Sequence, residues 1–97
     1  MNDYIRVYHW MVEKYGLKGN DLLVFAFVHF YTVCTKEHGW MMSIAKLAVY
    51  LGLAEPTVRR VLYNLRAFKL VEKFRIWEHG TPRVYLRTTC EEKGYND

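Results

Sequence analysis

One stretch in the middle of the chain, residues 43–66, constrains the fold more than any other. Its first part predicts a short helix, because apolar residues recur at the spacing i, i+3, i+4, i+7. These residues are Ile44, Leu47, Ala48 and Leu51. Ser43 is a suitable N-cap for this helix. Gly52 predicts its end, since glycine adopts the left-handed conformation after a helix without strain.

The second part of the stretch predicts another helix, starting near Glu55. Pro56 suits the first turn of a helix and disfavours helix at the residue before it. The predicted apolar face consists of Val58, Val61, Leu62, Leu65 and Phe68. The opposite face holds Thr57, Arg59, Arg60, Tyr63, Asn64 and Arg66. Two helices joined by a glycine turn, with Leu53 filling the turn, form a helix-turn-helix pattern, whose second helix can enter the DNA major groove.

After Lys69 the hydrophobic period changes from 3.6 to two, which predicts a β-hairpin with a turn over residues 78–82. One face of the hairpin is expected to be apolar and to close the core. Its members are Phe74, Ile76, Val84 and Leu86. The other face is expected to be basic and aromatic, and consists of Lys73, Arg75, Trp77, Arg83, Tyr85 and Arg87.

The N-terminal half predicts a strand leading into a short helix over residues 4–15, then a helix over 21–35 capped by Asn20, and a brief strand at 40–42. The second of these helices contains a 13-residue apolar run, Leu22–Cys34. This run is shorter than the roughly 18 residues of a membrane span. Because it is apolar nearly all round, we expect more apolar surface than one small core covers. The prediction is a homodimer, or a protein partner, bound through this helix and the aromatic N-terminus.

The order helix, strand, helix, turn, helix, hairpin resembles a winged helix-turn-helix domain. The residues that carry the resemblance are Ile44–Ala48, Gly52–Leu53, Thr57–Leu65 and Phe68–Lys73. The chain is similar to bacterial transcription regulators and to N-terminal domains of plasmid, phage and primosome replication proteins. Residues 4–11 and 17–23 resemble the replication proteins more. The implied fold class is α+β, mainly α, with a three-helix core, a C-terminal hairpin wing and an extra N-terminal segment.

The chain is therefore interpreted as one domain, residues 1–97. Its parts are an N-terminal extension (1–19), a first core helix (20–35), the helix-turn-helix (43–68), a wing hairpin (70–88) and a polar tail (89–97). Basic charge is concentrated in residues 43–88, which have a net charge of +6, whereas the rest of the chain has −2. This asymmetry is typical of proteins that bind polyanions, although an ordinary solvated basic surface gives the same count.

The resemblance implies double-stranded DNA as the partner. Arg59 and Arg60 are candidates for guanine edges or phosphates, since a guanidinium bonds either one bidentately. Asn64 is a candidate for adenine and Thr57 for a phosphate or a thymine methyl. Candidates for the DNA backbone or minor groove are Ser43 and Lys46 in the first helix, and Arg75, His79, Thr81 and Arg83 in the wing. The alternative for each arginine is a solvated surface, and Tyr63 is expected to be half-buried.

The family usually has Ser or Thr before the recognition helix, where this chain has Ala54. If Ala54 is the N-cap, one N–H group at the helix end lacks a side-chain partner. Otherwise Glu55 is the cap.

An enzyme is not expected, because the chain has no phosphate-binding glycine loop, nucleophile elbow or evident carboxylate pair. No metal or other cofactor is expected, since Cys34 and His38 are two ligands without a second pair. Trp77 and Tyr85 are candidates for stacking on bases, against shielding the sheet or forming an interface.

Two cysteines and the absence of a basic-then-apolar leader after Met1 predict a cytoplasmic protein. The expected function is that of a transcription regulator or a replication-initiation or primosome-type protein. The alternative is a protein-interaction module of a replication or mobile-element assembly, without direct DNA readout.

Overall fold

The computed structural model describes residues 5–34, 40–41 and 43–89. In this part of the chain four helices precede a hairpin, and a short strand lies between the second and third helices. The elements are α1 (His9–Glu13), α2 (Gly19–Cys34), β1 (Trp40–Met41), α3 (Ile44–Leu51), α4 (Glu55–Ala67), β2 (Val71–Glu78) and β3 (Thr81–Thr88). This is the mainly helical winged-helix architecture that the sequence predicts.

Helix α2 runs through the centre of the core. It begins at Gly19, so Asn20 lies in its first turn rather than at the expected N-cap. Six consecutive side chains, Val24–His29, are at most 3% exposed. The expected surplus of apolar surface is therefore wrong for this part of the helix, because α1, α4 and the sheet cover it from different sides. Residues 30–33 are half-buried.

The helix-turn-helix forms at the residues that the sequence predicts. The Ser43 hydroxyl accepts a hydrogen bond from the Lys46 N–H at 3.3 Å and caps α3. Gly52 ends this helix with φ of 68°, and its N–H is donated to the carbonyl groups of Ala48 and Val49. Helix α4 packs on the core through Val58, Val61, Leu62 and Leu65. Phe68 was expected on this apolar face, but it is the C-cap of α4 and is 76% exposed.

Strands β2 and β3 form the predicted hairpin, and β1 pairs with the other edge of β3 to give the sheet order β1-β3-β2. The turn is shorter than predicted, since only His79 and Gly80 separate the paired Glu78 and Thr81. Both turn residues have positive φ, 53° and 78°, as a type I′ turn requires. Residue 42 was expected in β1 and lies outside the described residues.

This two-residue turn changes which side chains share a face, because a register shift of one residue moves side chains to the opposite face. The expected division into an apolar and a basic aromatic face is wrong. We call one face the helix-side face; it consists of Val71, Lys73, Arg75 and Trp77 of β2 with Pro82, Val84, Leu86 and Thr88 of β3. The other, the outer face, consists of Glu72, Phe74, Ile76 and Glu78 with Thr81, Arg83, Tyr85 and Arg87.

The end of β3 is joined to α2 by buried polar contacts. His29 is 2% exposed and its Nδ1 lies 2.8 Å from the hydroxyl oxygen of Thr88. The Thr88 N–H is donated to the hydroxyl of Thr32 at 3.0 Å, and that hydroxyl is donated to the carbonyl of Val28 at 2.9 Å. These bonds, together with the buried Leu86, fix the base of the wing against the helical core.

Candidate nucleic-acid interface

Helix α4 presents a polar face to solvent, opposite the face that packs on the core. Arg59 and Arg60 are both exposed on it. Arg59 lies 3.8 Å from the carboxylate of Glu55, one turn earlier, in an ion pair between two exposed side chains. Such exposed pairs contribute at most about 1 kcal/mol, so this contact leaves Arg59 able to exchange its partner for a phosphate or a base.

The exposed face of α4 has two edges, set by the helical repeat of 3.6 residues. Thr57, Arg60 and Asn64 share one edge, with Thr57 and Asn64 half-buried. Arg59, Tyr63 and Arg66 share the other. Tyr63 was expected to be half-buried packing, but it is 72% exposed. The structure therefore places an aromatic ring among the candidate DNA contacts of this helix.

The N-terminus of α4 has no side-chain cap, as Ala54 in the sequence indicates. Ala54 is the N-cap, with extended backbone (φ −73°, ψ 147°) and no side-chain hydrogen bond to the helix. A capping side chain accepts the N–H of the second or third helical residue. Because Pro56 has no N–H, that donor would be Thr57.

The two predicted contacts from α3 lie side by side at its start. Lys46 is exposed, whereas Ser43 is half-buried and its hydroxyl already accepts the Lys46 N–H. A hydroxyl used as an N-cap can still donate its own proton. Both residues therefore remain candidates for the DNA backbone.

Of the four predicted wing contacts, Arg75 and Arg83 were expected on one basic face, and this is wrong. His79 lies in the turn and Thr81 follows it, both exposed. Arg75 is on the helix-side face, whereas Arg83 is on the outer face. The two arginines therefore lie on opposite faces of the same hairpin. A duplex that lies flat against one face contacts only one of them.

The outer face balances its charges within itself. Arg87 pairs with Glu72 across the strands, and its guanidinium carbon lies 4.4 Å from the centre of the Phe74 ring. Tyr85 is 4% exposed and donates its hydroxyl proton to Glu78. Of the two alternatives for Tyr85, the structure favours shielding of the sheet over stacking on bases, because its ring is buried and already stacks on Phe74.

A cleft of about 700 Å³ lies between the C-terminal half of α4 and β2. It is lined by Tyr63, Arg66, Ala67, Lys69, Val71, Glu72, Lys73 and Thr89. Arg66, Lys69 and Lys73 were not among the predicted contacts. A two-residue turn would have placed Lys73 on the side of α4, but the sequence did not indicate that turn length.

Within residues 5–34, 40–41 and 43–89, His, Cys, Asp and Glu side chains form no group of three that could hold a metal ion. His38, considered with Cys34, lies outside these ranges. The helices described in these ranges include none of the length and apolarity needed to cross a bilayer.

Comparison with solved structures identifies a winged-helix neighbour. The chain is similar to a mutant of MepR from S. aureus, a winged-helix transcription regulator of the MarR family, with a TM-score of 0.56 and 18% sequence identity. The similarity covers 80% of this chain and 52% of that one, so the chain spans about half the length of its neighbour. No protein-family model and no curated protein matches the sequence. The similarity shows that the chain has the winged-helix fold.

Proposed function

We propose that this protein binds double-stranded DNA, with the exposed face of α4 in the major groove and the wing beside it. The observation that carries the proposal is the position of Arg59 and Arg60, adjacent and exposed on the second helix of a helix-turn-helix. A recognition helix in this motif contacts base edges in the major groove. The fold of the MepR mutant, a transcription regulator, supports the same interpretation.

The candidate contacts divide into two groups by their position. Arg59, Arg60, Asn64 and Thr57 are proposed to read base edges or adjacent phosphates, since α4 carries them into the groove. Ser43 and Lys46 at the start of α3, with Arg75, His79, Thr81 and Arg83 of the wing, are proposed to contact the DNA backbone or the minor groove.

A salt titration of duplex binding tests the assignment of α4. The logarithm of the association constant falls with the logarithm of salt concentration by about 0.9 per phosphate neutralised. We expect the double variant Arg59→Ala, Arg60→Ala to bind duplex DNA more weakly, with a slope smaller by up to about two. The matched control is Lys14→Gln, Lys18→Gln, which removes two positive charges from the turn between α1 and α2. Unchanged affinity and slope in the arginine variant would refute the assignment.

Among roles for a DNA-binding protein, the MepR neighbour favours a transcription regulator over a replication-initiation protein. Dimerisation is also proposed. The half-buried residues 30–33 of α2, together with Val7 before α1 (47% exposed) and Val12 in α1 (43% exposed), are the apolar surface proposed for it. Light scattering is expected to show a dimer, and a monomer at high micromolar concentration would contradict self-association.

The alternative function is a protein-interaction module that does not read DNA. The salt dependence of duplex binding distinguishes it from the proposed function. A module of that kind is expected to show no steep salt dependence of duplex binding, because no phosphates are neutralised.

A further inference from the structure

The helix-side face of the wing has a base that is buried at Val71, Leu86 and Thr88. The rest of this face carries cations and no carboxylate. Lys73 and Arg75 are exposed on it, followed by Trp77, which is 72% exposed. The two acids of β2, Glu72 and Glu78, belong to the outer face, where Arg87 and Tyr85 bind them. The alternation of the strand thus separates the charges of the hairpin, and leaves this face positive.

This face continues into the cleft beside α4. Lys73 lines the cleft together with Arg66 and Lys69, and Tyr63 forms part of its wall. Glu72 also lines it, but its carboxylate pairs with Arg87. Within the described part of the chain, Arg66, Lys69, Lys73 and Arg75 make no ion pair with a carboxylate. Three cations therefore line one concave surface, and Arg75 extends it because it follows Lys73 on the same face of β2.

Two exposed aromatic rings lie at the ends of this surface. Tyr63 is 72% exposed at the α4 end, and Trp77 is equally exposed at the wing tip. Trp77 is four residues along β2 from Lys73, a separation of about 13 Å at the rise of an extended strand. A positive groove with aromatic rings beside it is the arrangement with which proteins hold single strands, because cations follow the backbone while bases stack on the rings.

We propose that the concave surface between α4 and the helix-side face of the wing binds a single-stranded polynucleotide. Arg66, Lys69, Lys73 and Arg75 hold its phosphates, and Trp77 and Tyr63 stack on bases. A duplex does not use Trp77 in this way, because its bases are paired and stacked on each other. The proposal goes beyond duplex recognition by α4 and is tested separately from it.

The test measures the affinity of the full chain for fluorescent oligo-dT and oligo-U of about 12 nucleotides, a length within the usual site size. A duplex is measured in parallel. We expect the wild type to bind one or both single strands. Trp77→Ala is expected to weaken that binding by about 5- to 150-fold, the effect of losing one stacked base. Trp77→Phe, which keeps a ring, is expected to stay close to wild type. The ratio of the affinities for the two oligonucleotides distinguishes DNA from RNA as the natural strand.

Charge is tested with a second pair of variants. Lys73→Gln is expected to lower the salt slope for the single strand by about 0.7, the value per phosphate for single strands. Lys18→Gln, an exposed lysine before α2, is expected to leave the slope unchanged.

Several outcomes would overturn the proposal. These are no binding of either single strand, equal affinities for Trp77→Ala and Trp77→Phe, or an equal loss of duplex binding in Trp77→Ala. If duplex binding fails while single-strand binding follows the expected pattern, the proposed duplex function fails and this inference stands.

Discussion

Phe74 lies directly opposite Tyr85 across the wing, and their rings stack with centres 5.8 Å apart and planes 25° apart. Throughout the hairpin, each even-numbered residue is therefore opposite an odd-numbered one. This pairing follows from the two-residue turn at His79 and Gly80. A turn of five residues over 78–82 would instead have paired even-numbered residues with even-numbered ones. Phe74 would then share a face with Val84. The length of one turn thus decides which face of the wing is positive.

The turn is therefore the first target for mutation. Gly80→Ala is expected to destabilise the protein by about 1–2 kcal/mol, because φ at this position is 78° and alanine is strained there. A Cβ at Gly80 would meet no atom within 4 Å, so the cost is conformational rather than steric. Urea unfolding measures the loss. Gly80→Asn should lose less, since asparagine tolerates left-handed conformations; equal losses would contradict the conformational explanation.

The two wing arginines should contribute unequally to duplex binding. Arg75 lies on the same side of the hairpin as α4, whereas Arg83 lies on the outer face. We expect Arg75→Gln to lower the salt slope of duplex binding by about 0.9 and Arg83→Gln to lower it less. A greater effect at Arg83 would mean that the DNA approaches the outer face of the wing.

The N-cap of α4 should respond to a hydroxyl. In Ala54→Ser, the serine oxygen can accept the N–H of Thr57, since Pro56 has no N–H to offer. The expected gain is about 0.5–2 kcal/mol, and each 1 kcal/mol raises the melting temperature by about 4–8 °C in a domain of this size. Ala67→Ser at the other end of the helix is the control and should give no gain. A melting temperature that does not rise in Ala54→Ser would contradict this account of the cap.

The contact between α2 and the wing should depend on the hydroxyl of Thr88. Thr88→Val keeps the shape of the side chain but removes the hydroxyl beside Nδ1 of the buried His29. Losing one partner of a buried hydrogen bond costs about 1–3 kcal/mol, which chemical unfolding can measure. Thr88→Ser retains the hydroxyl and should cost less than Thr88→Val. The reverse order would indicate that packing of the methyl group, not the hydrogen bond, holds the wing.

The helical part of the fold was largely predictable because its signals are local. Ser43, Gly52 and Pro56 mark helix ends through their own hydrogen bonding and backbone preferences, and the structure has α3 and α4 at those boundaries. Phe68 was misplaced because its helical phase continues the apolar face of α4, whereas the helix ends at Ala67.

The wing was less predictable because its register depends on a turn with no strong sequence signal. An Asn-Gly pair would have indicated a type I′ turn directly, but the residue before Gly80 is His79. The burial of α2 was missed for a different reason. The extent to which one helix is covered depends on how the remaining elements pack around it, and this is not a property of the apolar run itself. The cleft that contains Lys69 and Lys73 depends on both the register and the packing.

The most direct test of duplex binding through α4 is to map the contacts residue by residue. Duplexes are first selected from a random pool for binding to the protein, and one is then titrated into the isotope-labelled chain. Amide chemical shifts report which residues change their surroundings. We predict that the largest changes occur at residues 57–66 of α4, at the start of α3 and along the helix-side face of the wing. Changes confined to α1 and α2, with α4 unaffected, would contradict the account.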